Sequence, residues 1–313
     1  SHRLLIESDE LHTLISPRVS PDTEAATLCR FSDWEEVSRK LEIGHYLHGG
    51  RVTVVESLGC RHDHAGMYQT MLDRIRMHLS VLECEQEVSV SYSQFLSKQL
   101  QNACENRLPA CSLRGLGTGH TAVVLGGGPS LDDSLDWVIA NRESVFLIAV
   151  SRLCGKLQGL GLRPDAVIAV DPYSNMYDLS KEGLLWDDVP FVHSYHVSPE
   201  LLHQWRGPCL YLGELHPWRT EKEESDRIGS HGPTVSHAAA WLAYQWGFDR
   251  ILLCGVDMCY AVGGDSHAKG SVESMIGALP SLCDASVRTY SGRLAGTDRL
   301  FELGARRLED IGR

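Results

Sequence analysis

The chain has 313 residues, of which 43% are apolar, and a formal net charge of −12 at pH 7. This length and apolar content can supply two domains, or one large domain with an extension. The acidic balance argues against nucleic acid as the main partner, and no apolar run has the length of a membrane span or the form of a secretory signal. Ten cysteines without a Cys-x-x-Cys pair predict reduced thiols in a cytoplasmic protein.

Residues 1–112 are predicted to form a smaller N-terminal α/β domain. A capped helix is predicted over Thr23–Arg30, and Ser32 has the position of an N-cap for a second helix. The β-branched run Arg51–Glu56 predicts a strand that ends in an acid. Two longer helices are predicted at Ala65–Leu82 and Gln94–Glu105. The stretch Asn106–Gly119, rich in Gly and without a clear period, predicts the domain boundary.

Residues 113–313 alternate between apolar runs and helical patterns. Such alternation predicts an α/β fold with a doubly wound, mostly parallel, Rossmann-like sheet that is covered on both faces. A final helix is predicted over Thr297–Ile311. The predicted strands are Thr121–Leu125, Val145–Ala149, Ala166–Val170, Pro190–Val192, Cys209–Leu212 and Arg250–Cys254, and the predicted helices between them are Leu135–Asn141, Leu153–Leu160, Pro199–Trp205 and Val235–Trp246.

The first of these strands leads into a glycine turn, Gly126-Gly127-Gly128-Pro129-Ser130, and then into a helix. A strand, a glycine turn and a helix can present backbone N–H groups to a phosphate. Pro129 stiffens the exit from the turn, and Ser130 can cap the helix or donate to an anion. A tight structural corner without a ligand fits the same residues, since the turn lacks the Lys-Ser/Thr of a P-loop.

Polar residues follow several other predicted strands. Ser151, Asp171 and Asp257 each lie just after a strand, at the sheet edge where open parallel sheets bind ligands. The two acids have structural alternatives, because Asp171 can open a turn and Asp257 can cap a turn or brace a loop. Ser236 is a natural N-cap for the helix that follows it, and His237 is expected to be packed rather than catalytic.

His267 lies in a glycine-rich loop soon after the last predicted strand. A histidine there can reach the ligand crevice, and imidazole suits a general base. A solvated loop histidine is the competing interpretation. No metal site is expected, because the pairs His45/His48, His62/His64 and His193/His196 have no second cluster with ligand spacing.

A series of different short motifs begins at the glycine turn. In chain order they are Gly126–Leu131, Ala149–Ser151, Arg163–Asp165, Val170–Pro172, Gly232–Ala238, Trp246–Phe248, Leu252–Asp257 and Ser266–Ala268. In this order they resemble the central domain of bacterial motility-associated factor (Maf) proteins. That domain is similar to the 6-hydroxymethylpterin diphosphokinase MptE-like domain and to bacterial lipooligosaccharide sialyltransferases. The first region resembles the Maf N-terminal domain more loosely.

The resemblance implies a glycosyltransferase that moves a nonulosonic acid of the pseudaminic, legionaminic or sialic type from a CMP-sugar to Ser or Thr of flagellin. It implies no tightly bound cofactor. Gly126, Gly127, Gly128 and Ser130 would cradle the CMP phosphate, and His267 would activate the acceptor hydroxyl. The remaining implied positions are Ser151 and Asp171 at the donor, Thr234, Val235 and Ser236 at the nucleotide, and Tyr260 as the group that assists phosphate departure.

Three positions depart from the sialyltransferases, which commonly carry asparagine where this chain has Gly127, Ser151 and Asp171. Archaeal diphosphokinases that bind ATP and Mg²⁺ share the same domain, and Asp171 and Asp257 would suit that chemistry. Pyrophosphoryl transfer to a pterin-like alcohol is therefore the first alternative. A non-catalytic nucleotide-binding scaffold is the second.

Overall fold

The computed structural model describes residues 3–18, 26–47, 52–62, 66–90, 92–213, 226–261, 267–269, 285–289 and 292–312. They form two compact units, Ser1–Tyr92 and Ser93–Arg313. The predicted boundary follows residue 112, whereas residues 93–112 belong to the second unit. None of the helices in the described parts combines the length and the apolar character that a membrane span needs.

The first unit contains a pair of parallel strands, β1 (Arg3–Glu7) and β2 (Ala26–Arg30), in register along their whole length. A small core forms where Trp34, Ile75 and Leu79 are buried together. The helices of this unit are α1 (Asp9–Ile15), α2 (Trp34–Lys40), α3 (Ile43–Leu47), α4 (Leu58–Arg61) and α5 (Met67–Val90).

Two predictions in this unit are wrong. The helix expected over Thr23–Arg30 is replaced by β2 from Ala26 onward, because pairing with β1 outweighs the local helix propensity; residues 23–25 lie outside the described part. The run expected as a strand up to Glu56 is irregular over residues 52–56. No strand in the described part of the chain pairs with it, and the Glu56 carboxylate instead accepts from Arg76 at 2.9 Å.

Ser32 also differs from its predicted role as an N-cap. It lies in a short 3₁₀ turn, and its hydroxyl donates to the carboxylate of Asp33 at 3.2 Å. Helix α2 begins at Trp34, with Asp33 in the capping position but without a side-chain capping bond. The spacing that suggested a capping box therefore reflects a 3₁₀ entry into the helix.

The second unit is built on a seven-stranded sheet in the order β3-β8-β7-β6-β5-β4-β9, and every neighbouring pair is parallel. The predicted doubly wound α/β fold is confirmed. The strands are β3 (Leu108–Pro109), β4 (Thr121–Leu125), β5 (Phe146–Val150), β6 (Ala166–Ala169), β7 (Phe191–His193), β8 (Cys209–Tyr211) and β9 (Arg250–Cys254).

Helices surround this sheet. Among the described helices between its strands the longest is Val235–Gln245, which packs across β4, β5, β6 and β9 and buries a run of small side chains against them. The helices are α6 (Tyr92–Asn102), α7 (Leu131–Ala140), α8 (Cys154–Gly159), α9 (Asn175–Ser180), α10 (Pro199–Leu202), α11 (Val235–Gln245) and α12 (Arg299–Ile311), and a hairpin of β10 (Ala285–Arg288) and β11 (Leu294–Thr297) precedes α12.

The winding of the sheet indicates where a ligand would bind. From β4 the chain adds β5, β6, β7 and β8 on one side, and it then returns to add β9 on the other side of β4. Such a reversal is a topological switch point, where open α/β sheets bind their ligands outside the carboxyl ends of the strands. The glycine turn leaves β4 at this point, and Gly255 leaves β9 beside it.

His193, the last residue of β7, is fully buried as a neutral imidazole. Its Nδ1–H donates to the Ser194 carbonyl at 2.9 Å, and Nε2 has no hydrogen-bond partner among the described residues. Burial lowers the pKa of His193 from 6.5 to about 4. The His193 imidazole is therefore harder to protonate in the folded protein than in the unfolded chain.

We expect His193 to make the protein acid-sensitive between pH 6.5 and pH 4. Above pH 6.5 the imidazole is neutral in the folded and in the unfolded protein, so the free energy of unfolding is unaffected. Because the folded pKa is lowered, the free energy of unfolding falls by about 2 kcal/mol by pH 5. Urea unfolding of His193→Leu at pH 7.5 and pH 5 should show a smaller stability difference than the wild type, whereas His203→Leu, at an exposed position, should keep the wild-type difference. Equal differences in all three proteins would contradict the assignment.

Candidate functional site

The turns that follow β4 and β9 are joined by backbone hydrogen bonds. The Gly126 N–H donates to the Cys254 carbonyl at 2.8 Å, and the Gly128 N–H donates to the Gly255 carbonyl at 2.7 Å. Side chains have no room here, since a Cβ on Gly126 would overlap the Gly255 carbonyl oxygen. Gly255 also has a φ of +69°, which favours glycine. The glycines thus let two strand ends close against each other.

Asp257 braces the start of α7. Its Oδ2 accepts from the Ser130 N–H at 3.0 Å, and a Cβ on Gly128 would overlap the same oxygen. The carboxylate therefore lies at the helix N-terminus, where N–H groups and the helix dipole favour negative charge. Ser130 occupies the N-cap position without a side-chain capping bond, so of its two predicted roles only donation to an anion stays a prediction. The contact between Asp257 and the Ser130 N–H fits the predicted alternative in which Asp257 braces a neighbouring loop.

Most N–H groups of the glycine turn are therefore engaged within the protein. Among the described residues no acceptor faces the Gly127 N–H, whereas those of Gly126, Gly128 and Ser130 all donate to the β9 side. Pro129 has no N–H to offer. A phosphate at this turn would meet the Gly127 N–H first, and it would reach the Ser130 N–H only by sharing it with Asp257 or displacing that carboxylate.

His267 lies against the same turn. The N–H of the next residue, Ala268, donates to the Gly127 carbonyl at 2.8 Å, and Ala268 is fully buried. A Cβ on Gly127 would lie 3.5 Å from Cδ2 of His267, so the half-buried imidazole lies beside the turn. The structure brings together the glycine turn, Asp257 and His267, which are distant in sequence.

The strand ends beyond β4 contribute charge rather than open hydroxyl groups. Ser151 is 1% exposed, and its Oγ accepts from the Ser180 hydroxyl at 3.0 Å. Asp171 is half-exposed and lies 3.4 Å from the guanidinium of Arg152. Arg152 thus supplies a cation at this edge. Within the described parts of the chain, no group of three or more His, Cys, Asp or Glu side chains could hold a metal ion.

The segment Thr234–Ser236 begins helix α11. Thr234 occupies the N-cap position, Val235 packs against the core, and Ser236 is buried inside the first turn rather than capping it as expected. The Nε2–H of His237 donates to the Gly304 carbonyl at 2.8 Å, so Nδ1 accepts from the Thr234 hydroxyl at 2.8 Å. Burial lowers the pKa of His237, which is consistent with a packed, neutral imidazole.

Tyr260 lies beyond β9 with its hydroxyl directed at the C-terminal helix. The hydroxyl donates to Oδ2 of Asp298 at 2.9 Å, and the other oxygen of Asp298 caps α12 by accepting from the Phe301 N–H. Tyr260 is 9% exposed. In this conformation its proton is committed to Asp298, and assistance to a departing phosphate would need that bond to open.

Two charged residues near the turn were not among the predicted site residues. Asp132 lies in the first turn of α7, and Lys156 lies in α8; their side chains meet at 2.6 Å. Both also bond to the backbone beside His267. The available signal was an acid immediately after the glycine turn and a lysine shortly after Ser151, but nothing local indicated that the two would meet.

The comparisons with known proteins agree with this fold. The sequence model of the 6-hydroxymethylpterin diphosphokinase MptE-like family matches residues 97–263. The structure is similar to that of the Maf glycosyltransferase from Magnetospirillum magneticum AMB-1, with 13% identity and a TM-score of 0.53 over 99% of this chain and 49% of that one. This chain therefore spans about half the length of that enzyme. No curated protein matches.

The matched region includes the glycine turn, β4 to β9 and Asp257, and therefore the whole switch point. The predicted MptE-like domain is thus confirmed by the family model, and the chain shares its fold with the Maf glycosyltransferase. The chain belongs to the 6-hydroxymethylpterin diphosphokinase MptE-like family.

Proposed function

We propose that this chain is a glycosyltransferase that moves a nonulosonic acid from a CMP-activated donor to Ser or Thr hydroxyls of flagellin. The observation that carries the proposal is the meeting of the glycine turn, Asp257 and His267 at the switch point. A nucleotide-binding crevice with an imidazole beside it is the arrangement that such a transfer needs. The fold shared with the Maf glycosyltransferase supports the same activity.

In this reaction the acceptor oxygen forms a bond to the anomeric carbon while the bond from that carbon to the CMP phosphate oxygen breaks. The acceptor proton passes to His267. Negative charge develops on the phosphate, where the Gly127 N–H, which has no acceptor among the described residues, would stabilise it. Arg152 adds a cation along the same edge.

Asp257 would then accept hydrogen bonds from hydroxyl groups of the donor, since a carboxylate accepts hydrogen bonds and repels a phosphate. Asp171 has the same character and would bind sugar or ribose hydroxyls. Eight cysteines whose side chains the structure describes are free thiols, which supports the proposed cytoplasmic location.

The position of Asp257 also favours a second candidate function. A carboxylate at the turn could ligate Mg²⁺ carried by ATP, as in pyrophosphoryl transfer to a pterin-like alcohol. The description of the matching family names such a diphosphokinase.

Thermal-shift titration with CMP, CDP and ATP, each with Mg²⁺ and with EDTA, separates these functions. A ligand at 100 times its Kd stabilises the fold by about 2.7 kcal/mol, which raises Tm by several degrees. The glycosyltransferase predicts a shift with cytidine nucleotides in EDTA. A shift that needs both ATP and Mg²⁺ would replace it with the diphosphokinase. Binding of CMP without transfer from any CMP-sugar would favour the nucleotide-binding scaffold.

A further inference from the structure

A closed ring of hydrogen bonds holds the backbone beside His267. The Lys156 ammonium donates to Oδ1 of Asp132 at 2.6 Å and to the Lys269 carbonyl at 2.6 Å. The Lys269 N–H donates to Oδ2 of Asp132 at 2.9 Å. Both polar groups of the Lys269 backbone are therefore satisfied by one ion pair, and each member of the pair contacts the other.

This ring links three parts of the site. Asp132 lies in the first turn of α7, directly after the glycine turn, and Lys156 lies in α8, after the neighbouring strand β5. Lys269 lies two residues after His267, and the residue between them donates to the Gly127 carbonyl. The short segment is thus fixed to the turn at Ala268 and to two helices at Lys269.

We propose that Asp132 and Lys156 are positioning residues that hold the segment 267–269 so that the His267 imidazole faces the glycine turn. This inference rests on the proposed role of His267 as the general base. Neither charged group of the ion pair takes part in the chemical step itself. Its effect is on the distance and direction of the imidazole, to which a proton transfer is sensitive.

The surroundings of the pair suit this role better than that of an ordinary surface ion pair. The side chains of Lys156 and Asp132 are only 12% and 28% exposed, so water screens them less than it screens the exposed pairs of this chain. Burial acts to raise the pKa of Asp132, but the hydrogen bonds from Lys156 and from the Lys269 N–H outweigh it and lower the pKa overall. Asp132 is therefore ionised when the ring is closed.

The first test measures the segment without any reaction. Hydrogen exchange of the Ala268 and Lys269 amides is compared in the wild type, Asp132→Asn and Lys156→Met. We expect exchange to be about ten-fold faster or more in both variants, because a segment released from its anchors opens locally. Asp187→Asn is the matched control, since it makes the same chemical change in an exposed ion pair with Arg206. Its Ala268 and Lys269 amides should exchange as in the wild type.

The second test measures transfer from a CMP-sugar. Asp132→Asn and Lys156→Met should lower kcat by about 10- to 100-fold with little change in the donor KM, since the imidazole is displaced but the nucleotide crevice remains. Lys156→Arg should recover most of the rate, because a guanidinium can donate to both acceptors. Adding Lys156→Met to His267→Ala should cost nothing further, because both changes act on the same step.

These results separate the positioning role from the proposed function. Unchanged amide exchange in both variants overturns the positioning role, whatever the enzyme assay gives. Faster exchange with an unchanged rate also overturns it. If the wild type transfers no sugar from any donor, the proposed function fails, while the exchange measurement still decides whether the ring holds the segment.

Discussion

Replacing His267 with alanine should lower the rate of sugar transfer by about 10²–10⁴-fold, the range that a general base contributes. The acceptor hydroxyl must lose a proton as it attacks, and His267 is the imidazole that lies against the glycine turn. The donor KM should change little, because the glycine turn and Asp257 keep their contacts when the imidazole of His267 is removed. Steady-state kinetics with a CMP-sugar and a Ser- or Thr-containing acceptor measure both quantities.

His120→Ala is the control for this variant. His120 is exposed just before β4, at the amino end of the sheet, so the same substitution there removes an imidazole far from the crevice. Its rate should match that of the wild type. If His267→Ala retains the full rate, His267 is not the base, and the solvated-loop interpretation replaces it.

Replacing Gly126 with alanine should destabilise the second unit by about 1–3 kcal/mol, the usual cost of forcing extra atoms into a packed site. A Cβ at this position would overlap the Gly255 carbonyl oxygen, which is backbone and is held by the Gly128 N–H. Relief would require β4 and β9 to move apart at the crevice. Thermal unfolding should show a Tm lowered by several degrees.

Two further glycines provide the comparison. Among the described residues, a Cβ on Gly127 would meet Cδ2 of His267 alone, at an ordinary contact distance of 3.5 Å, and a Cβ on Gly159 in α8 would meet no atom within 4 Å. Gly127→Ala should therefore fold with nearly wild-type stability, and Gly159→Ala should gain stability through helix propensity. A Gly126→Ala protein as stable as these two would show that the strand ends are not packed as described.

The sequence predicts the second unit well because its central strands are continuous apolar runs buried on both faces, and the edge strand β9 has the same kind of run although Leu252 and Leu253 are partly exposed. Strand β4 occupies the predicted residues, Thr121–Leu125, and β9 does so as well, since continuous apolar runs between turn residues leave little choice of structure. The first unit was harder. The residues of β2 have helical propensity, and only the partner strand, more than twenty positions earlier, makes them extended.

The sequence likewise predicts one part of the candidate site and not the other. Its place at the strand ends follows from the order of strands and polar residues, and the meeting of Asp257 with the Ser130 N–H fits the bracing role that the sequence left open. Which N–H groups remain open, and that the Ser151 hydroxyl is buried against Ser180, depend on contacts between distant segments. The Asp132–Lys156 pair has the same origin, as neither residue has a partner nearby in sequence.

The measurement that tests the central claim most directly is the change in backbone amide chemical shifts when CMP is added to the protein in EDTA. If the switch point binds the nucleotide, the largest changes should cluster at Gly127, Ser130, Asp257 and Ala268, which share this crevice. Unchanged shifts there, or changes confined to the amino end of the sheet, would contradict a cytidine nucleotide site at the glycine turn.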